Sequence, residues 1–436
     1  ALAQMARAPR QSLRMTLLLA LATAFAIFTL VFTASQQQRI VDVSSYQGGA
    51  DFSGPTANQY YVQAQLGSVT QQYRSIPGVL SATMGYAGIS KGSASGLSSF
   101  QVEVRAVDTS NFASTAIWTS QDSTQSLSSL MQQLIAARNN AIKHSVIPAI
   151  VDAATWNQLD LSQGKPFTLD FSDGTVAFIA IAEVQHIPTI SDNAGYGSST
   201  ATVASGGILT DYLTYATVYQ NDFLTTSGTQ IPPNYVWLRT KSDAQSLASV
   251  RHALSTGALQ LSTVYDRRAS DQALRSDPLY LDLIVVLALG AATALLLALL
   301  GNLIASWLSA RSRLTSFAVL RALGTPPRQV ASTLGWEQGI VYGTALLLGI
   351  IFGFLLSTLI VPVLVFTSVG TNQANSAISS GAFFIAQSVP PIQLVFPATV
   401  VIALAVLIAI CVVALGMMIR TVSRPSVSQT LRLNED

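Results

Sequence analysis

Cysteine occurs once in this chain, at Cys411, so no disulfide can form within it. Any domain exposed to an oxidising compartment must therefore be held by its own core. Cys411 lies in a long apolar run, where a thiol behaves as a small hydrophobe, and it is assigned no role. Charge is also scarce: 10% of residues are charged and 50% are apolar. Soluble domains average about 25% charged residues, so an ordinary soluble protein is excluded. Histidine appears only as His144, His186 and His252, far apart and outside any metal-ligand spacing, so no metal site is expected. The phosphate-cradling pattern G-x-x-x-x-G-K-[ST] is missing, so ATP cannot be bound in that way and energy must come from another polypeptide. Gly88-Ile89-Ser90-Lys91-Gly92 matches G-x-S-x-G literally, but Gly, Ser and Ala follow where a nucleophile elbow needs an apolar helix. The match is read as chance; no catalytic residue and no cofactor are expected.

What the chain has in abundance is long apolar runs, at 15–34, 279–308, 336–366 and 392–419. Each is at least about 20 residues, enough for a helix to cross a hydrocarbon core of about 30 Å. A cleaved signal peptide is the alternative for the first, but its apolar run exceeds the usual h-region of about 7–15 residues. The fold class is membrane α-helical: four transmembrane helices in a 1+3 arrangement, with a large extracytoplasmic α+β domain inserted between helices 1 and 2.

Charge placement sets the orientation. Residues 35–277 carry thirteen Lys and Arg against seventeen Asp and Glu, a net charge of −4, whereas the remainder carries ten Arg against four acids, a net +6. Those arginines precede the first run, fill the link between the second and third, and follow the fourth, while 367–391 holds no charge. By the positive-inside bias, 1–14, 310–335 and 420–436 are cytoplasmic, whereas 35–277 and 367–391 face outward. The spans proper are then 15–34, 278–309, 336–366 and 392–419.

Within 35–277 the pattern predicts a helix over 60–73 and a half-buried strand over 100–106. It predicts a helix over 122–142 capped by Asp122 or Ser123, an apolar run over 146–151 and a helical turn over 152–159. A hairpin joins 167–171 to 175–184 across Asp173-Gly174, and helix 243–254 and strand 259–264 close the domain. Segments 85–99 and 191–207, rich in Gly and Ser, read as surface loops.

In the third span Gly335, Gly339 and Gly343 stand four apart, followed by Gly349 and Gly353, and Gly290, Ala294 and Ala298 repeat in the second. Small residues at this spacing let helix backbones approach, so these glycines are candidates for helix packing, within the chain or against a second copy. In the link, Leu314, Phe317, Leu320 and Leu323 form one stripe flanked by Arg311, Arg313 and Arg321, and Gly324-Thr325-Pro326-Pro327 ends it. Alone, this reads as an amphipathic helix anchored at anionic membrane lipid.

The run Phe317-Ala318-Val319-Leu320-Arg321-Ala322-Leu323-Gly324, then Arg328-Gln329-Val330 and Glu337, resembles the signature of FtsX-like permeases. These are the MacB-like membrane subunits of type VII ABC transporters. Ile147-Pro148-Ala149-Ile150-Val151, Ile187-Pro188-Thr189 and Asp277-Pro278 resemble the family's external core domain and the approach to its second span. The resemblance implies that 314–324 is a coupling helix docked on a separate ABC ATPase subunit. Arg313, Leu314, Phe317, Leu320, Arg321, Leu323 and Gly324 would carry the contact, with Leu320 and Leu323 in a hydrophobic groove. Thr315 and Ser316 stand where family members often have an acidic residue, so a salt bridge from that position is not carried over.

The resemblance further implies a permease subunit in a bacterial plasma or inner membrane that passes ATP-driven motion to its external domain for export, extraction or release of a substrate. Two ATPase sites call for two permease modules, so the partner is a second copy or an upstream half of a longer chain. Met5-Ala6-Arg7-Ala8-Pro9-Arg10 resembles a junction between such modules, and the chain opens on Ala1. Alternatives are a transmembrane regulator of a cell-wall hydrolase, or a membrane sensor or scaffold independent of ATP. No nucleic-acid partner is expected, and the substrate or external protein partner is not legible.

Overall fold

In a computed structural model the protein is described over residues 9–57, 66–94, 98–171, 174–190, 206–223, 231–312, 327–365 and 391–423. The chain divides into two compact units, a helical one (Ala1–Arg39, Ser276–Phe366, Ile392–Asp436) and a sheet one (Ile40–Arg275, Thr367–Pro391).

The elements in chain order are α1 (Pro9–Gly48), β1 (Phe52–Pro55), α2 (Leu66–Arg74), β2 (Val79–Ala94), β3 (Ser98–Val107), α3 (Phe112–Thr115), α4 (Leu127–His144) and β4 (Ile147–Asp152). They continue with α5 (Ala153–Gln158), β5 (Pro166–Phe171), β6 (Gly174–Val184), β7 (Gly206–Asp211), α6 (Tyr212–Phe223), β8 (Tyr235–Thr240), α7 (Ala244–Ser255), β9 (Tyr265–Asp266) and α8 (Arg267–Arg275). Three long helices follow: α9 (Pro278–Ser312), α10 (Pro327–Leu364) and α11 (Ala398–Ser423).

The strands pair in the order β3-β7-β4-β6-β5-β2-β8-β1-β9, and β3 pairs again with β2. Six strands therefore close a ring, and β8, β1 and β9 extend from the first half of β2. β3–β7 and β4–β6 are parallel and the remaining pairs antiparallel. The alternation of side chains along each strand sorts two cores. Ile147, Ala149 and Val151 of β4 join one core with Phe178, Ile208 and the tyrosines of α6. Ile150 and Leu209 join the other, covered by Leu127, Leu130 and Leu134 of α4. Both faces of β4 and β7 are thus buried.

Polar side chains fix the joints between layers. Asp211, fully buried at the end of β7, is gripped by Arg138 of α4 at 2.8 and 2.9 Å and by Thr109 Oγ1 at 2.9 Å, and accepts from Thr214 N–H. Asp152 caps α5 through Thr155 N–H and also accepts from Gly207 N–H at 2.7 Å.

Several expectations for this unit change. Residues 85–94 and 98–99 form no loop: β2 and β3 pair over Gly85–Ala94 and Ser98–Val107, and 95–97 lie outside the described residues. Gly85 serves close strand approach, because a Cβ there would stand 2.1 Å from the Ala106 carbonyl oxygen. Helix α4 starts at Leu127 with Ser126 as its N-cap, because Asp122 is engaged by Thr119 instead. The strand expected at 259–264 is replaced by the two-residue β9, since β1 offers β9 only Phe52 and Ser53, and Leu261 makes an isolated bridge to Thr56. Gly206 and Gly207, expected at the end of a surface loop, open β7 instead, and the described residues 208–223 and 231–240, unassigned from sequence, supply the rest of β7, α6 and β8. Helix α2 opens the described part of the helix expected at 60–73, whose first residues, like 191–205, lie outside the described residues.

Among the described residues, four helices are long and apolar enough to cross a membrane. In the most apolar window of α1, 61% of residues are enclosed, against 11%, 22% and 11% for α9, α10 and α11, so α1 is the helix the others surround. Leu19 and Ala22 of α1 pack with Ala298, Tyr342, Ala345 and Cys411, and farther along Phe28, Val31 and Phe32 pack with Val361 and Val365. The outward faces of the other three are apolar, with Leu297, Val363 and Val401 all exposed. Helix α11 opens at Ala398, seven residues after Pro391; Pro397 precedes its first turn and accepts from Val400 N–H.

Candidate functional site

The polar groups of the sheet unit converge on the end of α1. An α-helix leaves its last four carbonyls without intrahelical partners, and an end enclosed by protein needs donors for them. Gly49 takes a left-handed φ of +60°, which turns the chain sharply and lets its N–H donate to Ser45 O at 2.8 Å. Thr189 N–H donates to Tyr46 O and Ile117 N–H to Gly49 O, both at 2.8 Å. The Tyr46 hydroxyl donates to Ile190 O at 2.8 Å, and the Tyr265 hydroxyl donates to the Gln47 side chain at 2.9 Å.

Thr189 is itself held in an unusual backbone state, φ +70°. For a β-branched residue this costs on the order of 1–3 kcal/mol, so its surroundings must impose it. Arg105 of β3 does so, donating through Nη2 to Thr189 O at 2.6 Å and through Nε to Thr189 Oγ1 at 3.2 Å. Arg105 also pairs with Glu103 at 2.6 Å, both side chains only 10% exposed, and lies 5.7 Å from the centre of the Tyr235 ring. A continuous path of polar contacts therefore runs from β3 through Thr189 to the last turn of α1.

Beside this socket, Asp42 and Tyr46 of α1 line a small cleft with Thr119 and Asp122. Asp122 accepts from Thr119 N–H at 2.6 Å and from its hydroxyl at 2.8 Å, and its own carbonyl accepts from Gln185 and His186 N–H. Burial raises the Asp122 pKa above the usual 3.8, reinforced by the charge of Asp42 and opposed by the Thr119 hydrogen bonds and by His186.

In the helical unit Gly349 and Gly353 of α10 meet α1 closely: a Cβ at Gly349 would stand 3.0 Å from Ala20 O, and one at Gly353 would stand 3.2 Å from Ala24 Cα. Gly335 faces Ile419 of α11, whereas Gly339 and Gly343 have open space where a Cβ would be. Arg313, Leu314, Phe317, Leu320, Arg321, Leu323 and Gly324 all lie outside the described residues.

Ser90 sits within β2, buried, and its hydroxyl donates to Val102 O at 3.1 Å, so it is part of a strand ladder and no elbow. His144 ends α4, His252 lies in α7, and His186 stacks edge-on to Tyr46. Among the described residues no group of three or more His, Cys, Asp or Glu could hold a metal ion. The described socket is built from main-chain and side-chain hydrogen bonds around one buried ion pair.

Sequence reading reached Ile187-Pro188-Thr189 through resemblance and missed Glu103, Arg105, Tyr46 and Gly49. The signal was present: Gly48-Gly49 marks a helix end, and Glu103 and Arg105 share one face of a strand otherwise alternating with valine. That face looks solvated in sequence and is buried in the fold.

A long-helix unit joined to a ring-closed α+β sheet defines a polytopic membrane protein with a large folded domain outside its spans. Residues 288–427 match the family described as FtsX-like permease C-terminal. No curated protein matches. Among solved structures, the chain is similar to the periplasmic region of MacB from Actinobacillus actinomycetemcomitans, at 9% identity and a TM-score of 0.30, over 54% of this chain and 97% of that one. It is also similar to the extracellular domain of the noncanonic ABC-type transporter YknZ from Gram-positive bacteria, at 9% identity and a TM-score of 0.27, over 49% of this chain and 100% of that one.

The buried pair gives one expected outcome. Arg105→Met removes the ion-pair partner of the buried Glu103 and releases Thr189, so unfolding of the sheet domain should be easier by about 3–5 kcal/mol, read from denaturant titration of the detergent-solubilised chain. A loss below about 1 kcal/mol would remove Arg105 from the path. The second concerns pH. Because the folded-state pKa of Asp122 lies above its unfolded value, its favourable contribution is complete at acid pH and is lost as pH rises through the folded-state pKa. The thermal midpoint should thus fall between about pH 4 and neutrality more in the wild type than in Asp122→Asn. Parallel profiles would contradict the assignment.

Proposed function

We propose that the protein is a permease subunit of an ABC transporter complex, one that passes ATP-driven motion from a separate ATPase to its sheet domain. The observation that carries this reading is the FtsX-like permease match over 288–427, which takes in α9 from residue 288 onward, α10, α11 and the arginine-rich link between the first two. The chain has no phosphate loop of its own, so the nucleotide is handled by the partner. In this reading α1, α9, α10 and α11 cross the membrane in a 1+3 arrangement with both termini cytoplasmic, and the sheet domain lies outside. The basic flanks of the apolar runs support that orientation.

The link 314–324 is the coupling helix. Leu320 and Leu323 enter a hydrophobic groove on the ATPase, Arg313 and Arg321 make polar contacts to it, Leu314 and Phe317 complete the coupling face, and Gly324 ends the helix. Nucleotide binding biases a two-state arrangement of the helices, and no covalent chemistry falls to this chain. Motion reaches the sheet domain along α1, which is one unbroken helix from Pro9 to Gly48 and is gripped at its end by Thr189 and Ile117. A second permease module, a copy of this chain or an upstream half, completes the assembly, and the open faces at Gly339 and Gly343 are available for it. Membrane lipid covers the remaining apolar surface.

The test is co-purification and stimulation of the ATPase. Leu320→Ala with Arg321→Glu should lower both at least about tenfold while leaving the sheet domain folded, because the hydrophobic anchor and the charge are removed together. Undiminished stimulation by the double variant would contradict the coupling assignment.

A further inference from the structure

Within the sheet unit the chain arrives along the last turns of α1 and departs along α8, and both ends converge on one carboxylate. Asp51 follows α1 by three residues and is 6% exposed. Its Oδ1 accepts from Arg267 Nη2 at 2.9 Å and Nε at 3.2 Å, and Arg268 Nη1 stands 3.4 Å away. Its Oδ2 accepts from Thr240 N–H at 2.9 Å, and its backbone carbonyl accepts from Arg267 N–H at 3.1 Å. Both arginines are the first residues of α8, directly after β9.

Beyond this carboxylate, the Tyr265 hydroxyl reaches the Gln47 side chain at 2.9 Å at the end of α1, and the backbone pairing between the two ends is short. The β1–β9 ladder holds two residue pairs, Phe52 with Asp266 and Ser53 with Tyr265. So short a pairing is marginal without further support. No residue of α8 is buried, so its packing does not fix it. Asp266 accepts from Arg268 and Ala269 N–H, which starts α8, and pairs with Arg251 at 2.7 Å, where Arg251 is 49% exposed. The Asp51 cluster is the enclosed one: its carboxyl is 9% exposed and the two arginines 25% and 21%. Arg267 places two N–H groups on one oxygen of the carboxylate while the other holds a main-chain N–H, and such charge-assisted contacts are stronger than neutral ones.

We propose that Asp51 is a positioning residue that ties the two membrane-bound ends of the sheet domain together, so that displacement of one carries the other. The tie is a property of the sheet unit alone. Only its consequence rests on the permease reading: motion from the ATPase would reach the domain through both ends at once.

Hydrogen exchange of the full chain in detergent, without the ATPase, tests the tie separately from that reading. Asp51→Asn keeps an acceptor for Thr240 N–H and removes the charge. Amides of 52–53 and of 265–268 should then exchange at least about tenfold faster, together, while those of β4 and β7 keep wild-type rates. Arg267→Gln, which leaves the carboxylate in place, should give the same pattern in weaker form. Unchanged exchange at these ends, acceleration at one end only, or a rise across the whole sheet would overturn the proposal. A wild-type complex that shows no response to nucleotide would instead count against the permease reading.

Discussion

A helix that ends inside protein must hand its last carbonyls to donors, and that requirement organises the sheet domain around α1. Thr189 and Ile117 supply the donors from two separate loops, and each loop is positioned to do so by the sheet behind it. The left-handed Thr189 and the buried Glu103–Arg105 pair follow from the same demand. A buried pair of this kind contributes little net stability, since desolvation offsets most of its attraction. Its value here is geometric: Arg105 holds a strained residue in the one state that presents its N–H to Tyr46 O.

The helical unit answers to a different constraint. In lipid no hydrophobic gain draws helices together, so close contact depends on small side chains and on shape. Helix α10 is divided accordingly, with Gly349 and Gly353 set against α1 and Gly339 and Gly343 left bare. Two buried hydroxyls on these helices are satisfied within their own helix: Thr23 donates to Leu19 O at 2.7 Å and Ser357 to Gly353 O at 2.7 Å. Their polar atoms therefore place no demand on neighbouring helices.

Sequence alone gave access to the parts ruled by composition and period. The apolar runs became α1, α9, α10 and α11 because length and hydropathy suffice to define such helices. The alternation in β6 and the helical stripe of α4 were legible for the same reason. Glycine misled where it served contact: at Gly85 it permits close approach of β3, although the density of glycine suggests a loop. Strands β4 and β7 are buried on both faces, so a period of two leaves no trace in β7, whose Gly206-Gly207 start resembles a turn. The socket escaped because its members lie far apart in sequence and half of them act through the main chain. Asp51 is a lone acid after a glycine pair, and nothing local points it toward arginines more than 200 residues away.

The central claim is that nucleotide-driven motion in the helices reaches the sheet domain. Two spin labels measure it directly, one at Lys91 in β2 and one at Arg328 at the start of α10, in a Cys411→Ala background reconstituted with the ATPase in lipid. The account predicts that their separation shifts by several ångströms between nucleotide-free and ATP-trapped states. A separation that stays the same while the ATPase binds and turns over would contradict it.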